Sequence, residues 1–248
     1  MRTTLSMQLY FIRHAQSENN ENYWRTNSSQ GRSTDPELTE LGLRQAAALA
    51  RFLSQTNDSS NIAYGGGVQN AEGFDFTHLY SSLQVRAVCS GLAIAKALDM
   101  PLVAWPNWHE VGGIFEKDEA TGEYTGLPGK SRAYFETHYP DLQLPDELNE
   151  QGWWNRPFED DAQQRERAQR MVAELQARHS GTEDRVAIVS HGGFYNRMLK
   201  ALFQMPADIG CWFTMNNAAI TRIDFTEDEF FIVYQNRVDF LPPALLTL

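Results

Sequence analysis

The chain has 248 residues and a net charge of −11, with 42% hydrophobic and 21% charged residues. Those proportions exclude a disordered or fibrous polymer, and the length is enough for a single domain spanning 1–248 with a full core. Two cysteines, Cys89 and Cys211, are too few for a disulfide framework and point to a reducing, cytoplasmic setting. No apolar run reaches the roughly 20 residues that a membrane helix needs, and the opening Met1-Arg2-Thr3-Thr4 does not read as a signal peptide. The acidic balance argues against nucleic acid as a partner. If the ligand is an anion, positive charge must be gathered locally against the average of the chain.

In chain order, the run 7–12 is short, apolar and rich in strand formers, and predicts a buried strand. A polar loop follows over 13–37. A helix starts near Thr39, with Leu43, Ala46, Ala47, Ala50 and Leu53 at helical spacing. Residues 56–73, including Gly65-Gly66-Gly67, read as a surface loop. A second strand over 77–81 precedes a helix carrying Val88, Leu92, Ala95 and Leu98, which ends before Pro101. Residues 102–105 are a third strand. Residues 115–157 mix Gly, Pro, aromatic and charged residues without a long period, and read as an insertion over the site with one short helix near 131–138. A charged helix over 160–178, a strand over 186–189, a helix over 194–203 and a terminal hairpin of 218–225 with 230–235 complete the pattern. Strands alternating with helices predict an α/β fold: a three-layer α/β/α sandwich around a mostly parallel sheet. In such sheets the ligand site lies beyond the carboxyl ends of the strands.

Those ends carry the chemistry. Arg13-His14 follows the first strand, Ser81-Ser82 and Arg86 the second, His109-Glu110 the third and Ser190-His191-Gly192-Gly193 the fourth. Two guanidiniums can fork onto a tetrahedral dianion. One imidazole can attack phosphorus and a second, protonated, can add positive charge. Glycines at a helix start let backbone N–H groups approach an anion, and a carboxyl group can protonate a leaving oxygen. The set fits cleavage of a phosphomonoester through a phosphohistidine, with no metal and no cofactor.

These motifs resemble those of the histidine phosphatase superfamily, with its phosphoglycerate mutase-like fold. Arg13, His14, Ser17 and Asn20 match the first family motif. Leu38-Thr39-Glu40-Leu41-Gly42 with Gln45-Ala46 matches the helix start, and Ser81, Ser82, Arg86 and Ala87 match the second motif. Glu110 matches the acid and Ser190-His191-Gly192-Gly193 the last motif. The resemblance implies His14 as nucleophile, Glu110 as proton donor, and Arg13, Arg86, His191 and Gly192 around the phosphoryl group. Asn20 and Ser17 would line the substrate side. Ala15, Gln16 and Leu83 stand where the family favours Gly, Glu and Pro, and Glu116 is a rival to Glu110. A basic stretch typical of cofactor-dependent mutases is not found, which favours a phosphatase of a small phosphorylated metabolite. A mutase-type phosphotransferase and a phosphate-binding module with little turnover are the alternatives.

Other signals carry less. Gly129-Lys130-Ser131 ends like a P-loop, but Tyr124 occupies the required glycine position. His109-Glu110 begins like a zinc-protease motif, but Gly113 replaces the second histidine. The sequons at Asn27 and Asn57 have no meaning in a cytosolic chain. Trp153, Trp154 and Phe158 read as packing. Lys130, Arg132 and Arg156 read as solvated charge within reach of the site. Nothing in the pattern specifies an oligomeric state.

Overall fold

A run of aromatic and branched residues with no polar alternation forms a strand covered on both faces, and β1 (Met7–Arg13) is buried at every position. The computed structural model describes residues 6–56 and 66–248, so Met1-Arg2-Thr3-Thr4, the Asn57 sequon and Gly65 lie outside the described residues. Seven strands form one sheet in the order β6 (Leu142–Gln143), β3 (Leu102–Ala104), β2 (His78–Ser81), β7 (Asp184–Ser190), β1, β8 (Ile220–Phe225) and β9 (Phe230–Arg237). The strands from β6 to β1 run parallel, while β8 and β9 add an antiparallel edge.

Side chains alternate between the two faces of β1. Tyr10 and Ile12 pack with Ala46 and Leu49 of α2 (Glu40–Leu53) and Val88 and Ile94 of α3 (Val85–Leu98). Leu9 and Phe11 pack with Met171 and Leu175 of α5 (Asp161–His179) and Phe194 and Met198 of α6 (Gly192–Leu202). This is the expected three-layer sandwich, and each fully buried large side chain contributes about 1.5–3 kcal/mol. Among the described residues no helix is long and apolar enough to cross a membrane.

Three local expectations are corrected. The supposed loop 13–37 contains α1 (Glu18–Thr26), which buries none of its side chains and so leaves no apolar stripe to read. Leu43, placed on the inner face of α2, is 57% exposed, because the buried stripe runs through Gly42, Gln45, Ala46 and Leu49. Helix α6 starts at Gly192, two residues before Phe194, directly behind the strand end. Within 115–157, β4 (Phe115–Lys117) and β5 (Tyr124–Gly126) form a separate two-stranded sheet. It is followed by α4 (Arg132–His138), and β6 then joins the main sheet beside β3.

The register levels the strand ends. Arg13 lies beside Ser190, while Ser81 lies beside both Val189 and Ala104, so the loops that follow these strands leave one edge of the sheet together. The loop after β3 is tied down by Arg167 of α5. Arg167 donates to both oxygens of Glu159, at 2.6 and 2.7 Å, and to the carbonyls of Asn107 and His109. Both partners are buried, so removing one leaves the other charge without compensation. Glu159→Ala is expected to lower stability by about 3–5 kcal/mol. A thermal melt should show a fall of about 6–20 °C for a chain of this length.

Candidate active site

The peptide segment after β1 is fixed before any side chain is considered. His14 N donates to Ser190 O at 2.9 Å, Ala15 N to Ser90 Oγ at 3.0 Å and Gln16 N to Gln45 Oε1 at 2.7 Å. Thr39, the cap of α2, bonds the Gln16 carbonyl through its N–H at 3.0 Å and the Gln16 side chain through its hydroxyl at 2.7 Å. A Cβ on Gly42 would meet Gln16 O at 2.0 Å, so only glycine lets the first turn of α2 approach this closely. The run 38–46 is thus the clamp on the histidine loop, and Gln16, in a position where the family favours Glu, serves as an acceptor within it.

His14 is 2% exposed. Its Nδ1 lies 2.7 Å from Ala15 O, which can only accept, while Arg86 Nε donates to Nε2 at 3.1 Å. These partners fix one neutral tautomer with the Nε2 lone pair facing Arg86. Burial first, then Arg86 and Arg13, hold the His14 pKa well below its usual value. Arg13 donates through Nη1 to Met215 O, and its buried Nε has no partner among the described residues. Burial lowers its pKa to about 10, against the pull of Glu110.

His191 caps α6, its ring centroid 5.1 Å from that of His14. Ser82 Oγ lies 2.7 Å from His191 Nε2, and the buried Nδ1 has no partner among the described residues. By sequence alone this imidazole is expected to be protonated. In the structure burial, followed by Arg86 and His14, depresses its pKa well below the usual value, so the resting ring is neutral.

Glu110 reaches the start of α6. Its Oε1 accepts from Val111 N at 2.8 Å and Phe194 N at 2.9 Å, and its Oε2 from Gly193 N at 3.2 Å. In the resting protein the group approached by the start of α6 is therefore the Glu110 carboxyl group. A Cβ on Gly193 would lie 2.4 Å from Glu110 Oε1. Glu110 lines one cavity with Arg13, Asn20 and Gly192, whereas its rival Glu116 is exposed on β4. Ser17, expected to line the pocket, instead caps α1: it is buried and its hydroxyl and N–H engage Asn20 in a capping box. Asn20 Oδ1 also accepts from Asn217 Nδ2 at 3.3 Å.

Asp35 and Gln84 also stand against these residues, though no motif marks them. Asp35 Oδ1 accepts from Val85 N at 3.1 Å and lies 3.9 Å from Arg86 Nη1. Burial raises its pKa to about 6 although Arg86 opposes the shift. Gln84 Oε1 accepts from Glu110 N at 2.8 Å. Neither residue stands in a periodic pattern; the signal for Asp35 was its place immediately before Pro36 and the cap of α2. His109 turns away, packing its ring 4.7 Å from that of Trp154 and donating from Nδ1 to Glu110 O. Arg132 is committed to the carbonyls of Leu148 and Pro145.

Three buried histidines, His14, His109 and His191, have pKa values held well below 6.5 by burial first. In the unfolded chain each takes up a proton near pH 6.5. Their contribution to stability is present above that pH and lost as pH falls, at up to about 1.4 kcal/mol per pH unit for each ring. Asp35 acts in the opposite sense, its contribution being present at low pH and lost as pH rises through about 6. Histidine outweighs it by number, so urea unfolding is expected to show a lower midpoint at pH 5 than at pH 7.

Comparison with known proteins agrees with this geometry. The family model described as histidine phosphatase superfamily (branch 1) matches residues 9–64 and 68–238. A candidate phosphoserine phosphatase of Hydrogenobacter thermophilus is 29% identical over 235 residues, covering 93% of this chain and 95% of that one. Among solved structures, a mutant phosphoserine phosphatase from Entamoeba histolytica in complex with phosphoserine matches with a TM-score of 0.58 and 19% identity. The match covers 95% of this chain and all of that one. A mycobacterial glucosyl-3-phosphoglycerate phosphatase gives a TM-score of 0.58 at 19% identity over 94% of this chain and 100% of that one. With the family model spanning nearly the whole sequence and the matching motifs gathered at one sheet edge, the chain belongs to the histidine phosphatase superfamily.

Proposed function

We propose that this protein is a metal-independent phosphomonoester hydrolase that acts on a small phosphorylated metabolite through a phosphohistidine at His14. The observation that carries the reading is the buried His14 ring, its neutral tautomer fixed at both nitrogens and its pKa held down by burial and by the charges of Arg86 and Arg13. Two relatives named for phosphoserine and glucosyl-3-phosphoglycerate support the substrate class. The free thiols of Cys89 and Cys211 support a cytoplasmic location.

In this mechanism the phosphoryl group displaces Arg86 Nε from His14 Nε2, and Arg13 and Arg86 bind its oxygens. With Ser82 donating to Nε2 of His191, Nδ1 carries the hydrogen and donates to a further oxygen, and Gly192 offers its N–H. The His14 Nε2 lone pair attacks phosphorus, the P–O bond to the leaving group breaks, and Glu110 supplies the proton that makes the departing alkoxide an alcohol. Water then attacks the phosphohistidine, yields a proton to Glu110 and releases phosphate. Preorganised charge from buried guanidiniums supplies the transition-state stabilisation. Asn20 lines the substrate side. Ser17 acts through it by holding α1. The segment 115–157 is assigned as the cap that restricts which leaving groups enter.

His14→Ala is expected to lower phosphate release from phosphomonoesters by at least about 10³-fold with the circular dichroism spectrum retained. In the parent protein, quenching in alkali should trap an N-linked phosphate on His14. Activity near the parent level would refute the nucleophile, and isomerisation without phosphate release would select the mutase alternative. Gly193→Ala is expected to push the Glu110 carboxyl group from its place and reduce kcat about 10²-fold with little change in KM. Steady-state kinetics checks this.

A further inference from the structure

The cavity of about 450 Å³ that holds Arg13, Asn20, Glu110 and Gly192 has a second character. Its lining also includes Tyr23 and Trp24 from α1 as one wall segment, and Trp212, Phe213, Met215 and Leu248 from the later part of the chain as another. Trp24 is 77% exposed, Trp212 67% and Tyr23 58%. The chain has six tryptophans, and these two are the ones left open to solvent; Trp105, Trp108 and Trp154 are buried and Trp153 is partly so. Helix α1 buries nothing in the core, so its aromatic residues contribute little to folding. Large apolar side chains gathered at the mouth of a polar site mark a ligand surface.

Both walls are held in place. The α1 wall hangs on the Ser17–Asn20 capping box and on Asn217, which donates to Asn20 Oδ1. In the other wall, Asn196 of α6 accepts from Phe213 N at 2.7 Å and donates to Phe213 O at 3.0 Å, while Arg13 donates to Met215 O. Rings mounted on fixed backbone lose little entropy when a ligand arrives.

The charge of the cavity narrows the choice further. Arg13 is the one cation among its lining residues, and the proposed mechanism places that group on the phosphoryl oxygens. Glu110 adds a carboxyl group to the same space. Arg32, which feels the charges of Arg86 and Glu110, does not line this cavity; it bonds Phe115 O and lies 4.1 Å over the Phe115 ring. A leaving group that bears its own carboxylate therefore meets aromatic faces and no second cation in this cavity.

We infer that the preferred substrate carries, beyond its phosphate ester, a flat apolar body of about one ring, seated between Trp24 and Trp212. This rests on the phosphatase reading above and adds the chemistry of the leaving group. It separates the chain from relatives named for the carboxylate-bearing phosphoserine.

The test compares 3-phenylpropyl phosphate with propyl phosphate, which have leaving groups of similar basicity and differ by the ring, and adds phosphoserine as a carboxylate-bearing ester. The expected ratio of kcat/KM, phenylpropyl over propyl, is about tenfold or more in the parent protein. It should fall to within about twofold of unity in Trp24→Ala and Trp212→Ala, mainly through KM, with partial recovery in Trp24→Phe. Phosphoserine should be the poorer substrate beside phenylpropyl phosphate. A ratio near unity in the parent, or a ratio that the variants leave unchanged, overturns the inference while leaving the phosphatase reading intact. Release of phosphate from none of the three esters refutes the phosphatase reading, and this inference with it. A change of mass in light scattering for the variants with the ratio unchanged assigns the patch to protein association instead, and also overturns it.

Discussion

Two guanidiniums buried against a neutral imidazole are the arrangement on which the rest of this structure depends. Arg13 and Arg86 are both removed from water, which disfavours their charge. The charge is kept by a few nearby groups: Glu110 for both, Asp35 for Arg86, and the Met215 carbonyl for Arg13. The site is thus a cationic hollow in a chain of net charge −11. The same burial keeps His14 and His191 neutral, so the field that would bind a dianion also keeps a nitrogen lone pair available to attack it.

The loops around this hollow share their anchors. Gln45 accepts from Gln16 N and donates to Leu245 O and Thr247 Oγ1, joining the histidine loop to the end of the chain. Thr247 accepts from Asn217 N through its carbonyl, and Asn217 reaches both His14 O and Asn20 Oδ1. Glu110 is held from one side by Gln84 and from the other by the start of α6, while Arg167 fixes the carbonyls just before it. Placement of reacting groups to a fraction of an ångström needs support of this kind, because side chains on free loops would not stay aligned.

Legibility followed the range of the forces involved. The strand at 7–12 was visible as an unbroken apolar run because both its faces are covered, and helices α2, α3 and α5 because each buries one apolar face, which writes a period into the sequence. Helix α1 was invisible for the opposite reason: it is held by the Ser17–Asn20 cap and presents its aromatics outward. The two-residue strand β6 was hidden inside the irregular segment because so short an edge leaves no pattern. Of the candidate site, Arg13, His14, Arg86, Glu110 and His191 were singled out from strand ends and motif spacing. Asp35 and Gln84 were not, because each acts through contacts with residues distant in the chain.

Local sequence is enough for the alternation of strands and helices, the residue types delivered at the strand ends, and the glycines needed where helices start against other backbone. Those are local properties, set by periodicity, chain geometry and motif. Tertiary structure alone decided that Ser17 is a cap, that the glycines before Phe194 face Glu110, that His191 rests neutral, and that Trp24 and Trp212 share a cavity with Arg13. Each of these depends on burial and on distances between segments far apart along the chain, which no local pattern encodes.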